Sequence, residues 1–160
     1  VQFGNQKGNI IHNPGHTSGA ITYLFGNVAF TGDTLFSGGC GRVFEGTMEQ
    51  MHHSLNVKIG KLPDDTQLFF GHEYTENNLR FAQTLEPKNE DIQSQITQIR
   101  RVRSEGKWST PSLLSSERKI NPFLRCHDQT LQKHVSQKHP DINLDPVSIF
   151  TVIRKLKDQF

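Results

Sequence analysis

The chain is poor in most features that would reveal a purpose by composition alone. Two cysteines in 160 residues, Cys40 and Cys126, are too few and too far apart for a disulfide framework, which favours a reducing compartment. No apolar run approaches the length of a membrane span, and no secretory signal pattern opens the sequence. Neither sign of charge dominates, since 18 basic against 16 acidic residues leave +2. No long basic block stands out except near the C-terminus, so neither nucleic acid nor a membrane is expected as a partner. Hydrophobic residues reach only 33%, enough for a modest core but not for a large sheet buried on both faces. An initiator methionine is lacking too. The chain opens at Val1 in a strand-like Val-Gln-Phe and reads as a piece of a longer protein.

What is present is a repeated local pattern. Three times an apolar, strand-like run ends in glycine followed by a metal-binding side chain: Ile10-Ile11-His12-Asn13-Pro14-Gly15-His16, Val28-Ala29-Phe30-Thr31-Gly32-Asp33 and Leu68-Phe69-Phe70-Gly71-His72. A glycine there can adopt backbone angles closed to other residues, so the chain can turn sharply as it leaves a sheet. Strands sharing one sheet edge would bring His16, Asp33 and His72 together from distant positions. Two imidazoles and a carboxylate suit zinc, iron or manganese. They could hold one ion with an open position, or two ions if Asp33 bridges them. The other histidines carry weaker signals. His52 and His53 lie off the apolar stripe of their segment, and His127, His134 and His139 sit in polar contexts, so all five are expected at the surface.

Residues 1–72 read as mixed α/β. Residues 1–3 and Ile10-Ile11 flank a Gly/Asn-rich turn, as a hairpin would. Gly26-Asn27 predicts a two-residue hairpin between Ile21–Phe25 and residues 28–31. Thr47 and Gln50 form a capping-box pattern. It opens a helix with Met48, Met51, Leu55, Ile59 and Leu62 on one face, ended by Pro63-Asp64-Asp65 before a strand over Gln67–Phe70. After His72 strand signals almost vanish. Helices are expected over 77–85, from the Asn89 cap to Gly106, over 128–135, and from Asp145-Pro146 to the C-terminus. Residues 108–125 read as irregular. The expected organisation is an α/β unit over 1–72 and an all-helical unit over 73–160.

Longer motifs narrow the reading. Pro14-Gly15-His16-Thr17-Ser18-Gly19, Thr31-Gly32-Asp33-Thr34-Leu35-Phe36, Gly39-Cys40-Gly41-Arg42-Val43-Phe44-Glu45-Gly46 and Gly71-His72-Glu73-Tyr74-Thr75 follow one another. So do Glu86-Pro87, Ile120-Asn121-Pro122-Phe123-Leu124-Arg125 and the ending Lys155-Leu156-Lys157-Asp158-Gln159-Phe160. In that order they resemble the glyoxalase II family, the hydroxyacylglutathione hydrolases of the metallo-β-lactamase superfamily. The resemblance implies the C-terminal half of an αββα sandwich followed by an all-helical, substrate-binding domain. It implies that His16 serves one metal ion, His72 a second, and Asp33, the catalytic carboxylate, bridges both. Two divalent cations per full-length chain follow, zinc first, with iron or manganese as alternatives. The family's Thr-His-x-His-x-Asp-His motif, which supplies four further ligands, has no counterpart in these 160 residues.

Arg42, Tyr74, Arg154 and Lys157 match the family's glutathione contacts. The implied chemistry is attack of hydroxide on S-D-lactoylglutathione or a related glutathione thioester, releasing a 2-hydroxy acid and free glutathione. A cytoplasmic, monomeric full-length protein active in methylglyoxal detoxification is implied with it. Two departures stand out: Ala20 where many members carry a second histidine, and Phe44 where some carry a tyrosine. Cys40, in its glycine loop, reads as a small packing residue rather than a nucleophile. The competing expectations are a non-catalytic glutathione-binding or interaction module and, behind it, a relative of the persulfide dioxygenases.

Overall fold

The computed structural model of the chain describes residues 1–160. The strands and helices in chain order are β1 (Gln2–Phe3), β2 (Gln6–Lys7), β3 (Asn9–His12), β4 (Ile21–Phe25), β5 (Val28–Gly32), β6 (Leu35–Phe36), β7 (Gly39–Cys40), α1 (Met48–His53), β8 (Gln67–Phe70), α2 (Thr75–Leu85), α3 (Glu90–Ser104), β9 (Ser112–Leu113), α4 (Leu114–Ile120), α5 (Gln129–Lys138) and α6 (Pro146–Asp158). Five strands form the main sheet in the order β3-β4-β5-β8-β9, with β5 and β8 parallel and the other pairs antiparallel. The β4–β5 hairpin closes through Gly26-Asn27, with Phe25 opposite Val28, as that dipeptide requires.

The sheet is two-sided in character. Ala29, Leu68 and the partly buried Leu24 face a core that also holds Leu35, Met51, Leu55, Phe81, Phe123 and Phe150, so both halves of the chain contribute to one apolar cluster. Alternation turns Tyr23 and Phe30 to the opposite face, where they stay exposed beside Ile10. No helix is long and apolar enough to cross a membrane.

The caps read from the sequence at Thr47, Asn89 and Asp145 are made, and Asp128, read only as the first residue of its helix, caps α5 as well. Thr47 and Gln50 exchange their reciprocal hydrogen bonds at α1. Asn89, Asp128 and Asp145 each accept two backbone N–H bonds at the start of α3, α5 and α6. Four local expectations need correction. The opening hairpin is tighter than supposed, because β1 pairs with β2 while Ile10 and Ile11 belong to β3 in the main sheet. The segment after Thr47 is not one continuous α-helix; it widens into a π turn over Ser54–Lys58 and then tightens to a 3₁₀ turn over Ile59–Lys61. Residues 108–125 are ordered, holding β9, α4 and a 3₁₀ turn over Pro122–Leu124. His52 is half-buried rather than solvated, packing edge-on against Phe150, and burial lowers its pKa.

Glu117 on α4 explains why the last of those segments is ordered. Its carboxylate is fully buried and accepts from Ser37 Oγ, the Gly38 amide, Ser112 Oγ and Asn121 Nδ2. Those four donors offset the burial that raises its pKa. One side chain thus ties the glycine-rich loop after β6 to β9 and the helices beyond it.

Candidate metal centre and ligand cavity

Gly32 ends β5 with φ of 52°, a left-handed conformation that lets the chain turn and present Asp33 above the sheet edge. At the neighbouring end of β8 the glycine serves a different need. Gly71 has no such angle, but a Cβ there would overlap Asp33 Oδ1. The close approach of two chain segments, rather than conformational freedom, requires glycine at that position. The loop carrying His16 is held by the loop after β7: the Phe44 and Glu45 amides donate to the His16 carbonyl, and Glu45 accepts from the Ser18 amide and hydroxyl at 2.8 Å. Those hydrogen bonds from Ser18 lower the Glu45 pKa.

The three expected donors converge. His16 Nε2 lies 3.7 Å from Asp33 Oδ2, and His72 Nε2 lies 3.3 Å from the same oxygen. Ligand atoms around a tetrahedral ion with bonds of about 2.0–2.1 Å sit about 3.3 Å apart, so the spacing suits divalent cations between these groups. His16 Nδ1 is 2.8 Å from the Arg42 carbonyl. Donation there fixes the tautomer and leaves the Nε2 lone pair turned toward Asp33. The His72 ring stacks on Tyr74 with centroids 5.0 Å apart, which sets its plane. No three His, Cys, Asp or Glu side chains of the chain surround a single point. Each of the two imidazoles instead approaches the same carboxylate oxygen, Asp33 Oδ2. His12 is not part of it; its Nε2 is 2.9 Å from the Ser18 carbonyl.

These groups form one end of a cavity of about 530 Å³. The other end is cationic and is built by α6. Arg42, Tyr74, Arg154 and Lys157 all line the cavity, but in unequal ways. Arg42 is largely exposed and sits with Nε 3.5 Å from Asp158. Tyr74 is half exposed. Arg154 is only 3% exposed, its guanidinium already donating to the Cys40 carbonyl at 2.7 Å and to Asp158 at 3.1 Å, with Phe123 under it. Lys157 donates to the Asn77 carbonyl, lies over the Phe81 and Phe160 rings, and has no carboxylate partner. Half-burial, with Arg154 and Arg80 nearby, lowers its pKa to about 8. Cys40, buried beneath, is pushed up to about 11 by desolvation and is no nucleophile near neutral pH.

Sequence reasoning did not single out Asp158, Phe36 or Asn78 as cavity residues. The i,i+4 spacing of Arg154 and Asp158 was the available signal for the first.

The comparisons agree with this architecture. The description "Metallo-beta-lactamase superfamily" matches residues 4–72, and "Hydroxyacylglutathione hydrolase C-terminus" matches residues 73–160. The chain belongs to the hydroxyacylglutathione hydrolase family. Among curated members of that family, it is 49% identical over 152 residues to the hydroxyacylglutathione hydrolase of Aeromonas hydrophila, covering 94% of this chain and 59% of the relative. It is 45% identical over 160 residues to that of Pectobacterium atrosepticum, covering 100% and 62%. The chain therefore spans about three fifths of the length of the curated relatives it matches. Among solved structures, ETHE1 from Myxococcus xanthus is similar in fold, with 23% identity, TM-score 0.55 and coverage of 98% of this chain and 56% of the other. A metallo-beta-lactamase from Staphylococcus aureus subsp. aureus COL gives 21%, 0.53, 98% and 40%.

Proposed function

We propose that the protein hydrolyses glutathione thioesters as part of the longer protein that its curated relatives represent. The reaction consumes water and S-D-lactoylglutathione and releases D-lactate and glutathione. One observation carries the reading: a single cavity has imidazole and carboxylate donors at one end and arginine and lysine at the other. His16, Asp33 and His72 would hold two divalent cations, zinc by preference for this nitrogen and oxygen set, with iron or manganese as alternatives. Ions bound there would supply Lewis acidity to the thioester carbonyl and make a water acidic enough to ionise near neutral pH.

The chain's own residues divide the remaining tasks. Lys157 and Arg42 take the two carboxylates of glutathione, the first as a cation no acid neutralises, the second from the exposed rim. Tyr74 packs its ring against both His72 and Phe36 and offers a hydroxyl to the ligand from the cavity wall. Phe36, Phe44 and Phe160 wall the cavity and limit water around the acyl–sulfur bond. The departing thiolate is a good leaving group and needs little help from an acid. Residues 1–72 thus form the metal-bearing unit and 73–160 the substrate-binding unit. The reading extends to a cytoplasmic monomer in methylglyoxal detoxification, supported on compartment by two buried free thiols.

A glutathione-binding module without turnover is the second reading. It is favoured by the donor count, since each ion position receives from this chain only one imidazole and a shared oxygen. Metal analysis and thioester turnover separate the two. The longer protein is expected to carry about two metal ions and to turn over S-D-lactoylglutathione, while the 160-residue chain alone stays near background. Glutathione binding by the longer protein without metal or turnover would favour the module, and robust turnover by the 160-residue chain would contradict the account of the site.

A further inference from the structure

Asp158 breaks a local rule. It is the last residue of α6, where the negative end of the helix dipole disfavours a carboxylate and where Lys155 and Lys157 fit instead. It also places a negative charge on the wall of a cavity that, on the reading above, must accept an anionic ligand. A violation of this kind at a cavity wall points to a task that outweighs the local cost.

The geometry supplies the task. Asp158 Oδ1 is the one carboxylate oxygen shared by two arginines of the cavity: Arg154 Nη2 at 3.1 Å and Arg42 Nε at 3.5 Å. Arg154 is buried and would otherwise keep an uncompensated charge, since its other bond goes to the neutral Cys40 carbonyl. Arg42 is exposed, and no other carboxylate pairs with it. The Arg42 backbone carbonyl, separately, lies 2.8 Å from His16 Nδ1.

We propose that Asp158 is a positioning residue. It anchors the buried Arg154 and, with the same carboxylate oxygen, holds Arg42 so that Arg42 and Lys157 face the two carboxylates of one glutathione moiety. Lys157 is left without an acid partner and stays free for the ligand. This rests on the proposed glutathione site but makes a prediction of opposite sign to simple electrostatics. Removing an acid from an anion site should tighten anion binding by charge alone; loss of positioning should weaken it.

The test is Asp158→Asn in the 160-residue chain, read by calorimetric titration with S-methylglutathione and by ¹⁵N relaxation of the Arg42 Nε–H in the ligand-free chain. Asparagine can still accept from Arg154, and circular dichroism checks that the variant folds. The expected results are an ordered Arg42 Nε–H in the native chain, a mobile one in the variant, and binding weakened by about tenfold. Arg42→Ala should add little further loss in the Asp158→Asn background, because that arginine is already misplaced. Tighter or unchanged binding in the variant would overturn the proposal, and so would additive losses. An Arg42 as mobile in the native chain as other surface arginines would overturn it without reference to any ligand. An ordered Arg42 that loosens in the variant, in a chain that binds no S-methylglutathione, would support the positioning role and refute the glutathione site instead.

Discussion

The two ends of the cavity are built by different means. The proposed metal-binding end is made by backbone: three strand ends and short loops bring His16, Asp33 and His72 together, with Gly71 leaving space for the Asp33 carboxylate. The cationic end is made by side chains reaching over long sequence distances, with Arg154 and Lys157 on α6 anchored to carbonyls of Cys40 and Asn77. The difference teaches that the first end depends on how closely the chain packs, and the second on charge and protonation. Substitutions and pH should therefore separate them.

The largest effect is expected outside both ends, at the buried tie between the loop after β6 and β9. Glu117→Ala leaves Ser37 Oγ, the Gly38 amide and Ser112 Oγ without their shared acceptor in the interior. A loss of about 3–5 kcal/mol in urea unfolding is expected, with Glu117→Gln costing clearly less because one acceptor oxygen remains. An alanine variant as stable as the parent would mean that the halves do not depend on this tie.

Gly71→Ala should act at the metal end alone. The added methyl overlaps Asp33 Oδ1, so the carboxylate must rotate away from the imidazoles. Zinc affinity should fall by about 10–100-fold, while S-methylglutathione binding changes little. Equal losses of both would erase the distinction between the ends.

The smallest effect is a pH dependence confined to the cationic end. Lys157 carries its proton below about 8 and loses it above. Its folded pKa lies below the unfolded value, so the charged form exists only on the acid side of that point. Binding of S-methylglutathione should weaken roughly tenfold between pH 7 and 9, and Lys157→Arg should flatten the profile. A native profile that is already flat would show that Lys157 makes no contact with the ligand.

The convergence of His16, Asp33 and His72 was legible because its grammar is local. A strand, a glycine and a donor side chain occupy adjacent positions, and the caps at Thr47, Asn89 and Asp145 lie within a few residues of what they cap. The cationic end was legible only in part, through the resemblance carried by Arg42, Tyr74, Arg154 and Lys157. Arg154 in isolation reads as an exposed helix-terminal cation, yet α6 turns it inward, buried over the Phe123 ring. The two-residue strand β9 could not be read, because Ser112-Leu113 is a strand only through Leu68 and Gln67 opposite it. Glu117 sits in Ser-Ser-Glu-Arg-Lys, which looks like a solvated helix face. Its four donors are up to 80 residues away and come from three other parts of the chain.

Zinc titration of the ¹⁵N-histidine-labelled chain, followed through the side-chain nitrogens, addresses the metal end most directly. Two of the eight imidazoles, those of His16 and His72, should shift at Nε2, with His16 Nδ1 remaining protonated throughout. Shifts confined to His52, His53 or the C-terminal histidines, with His16 and His72 unmoved, would contradict it.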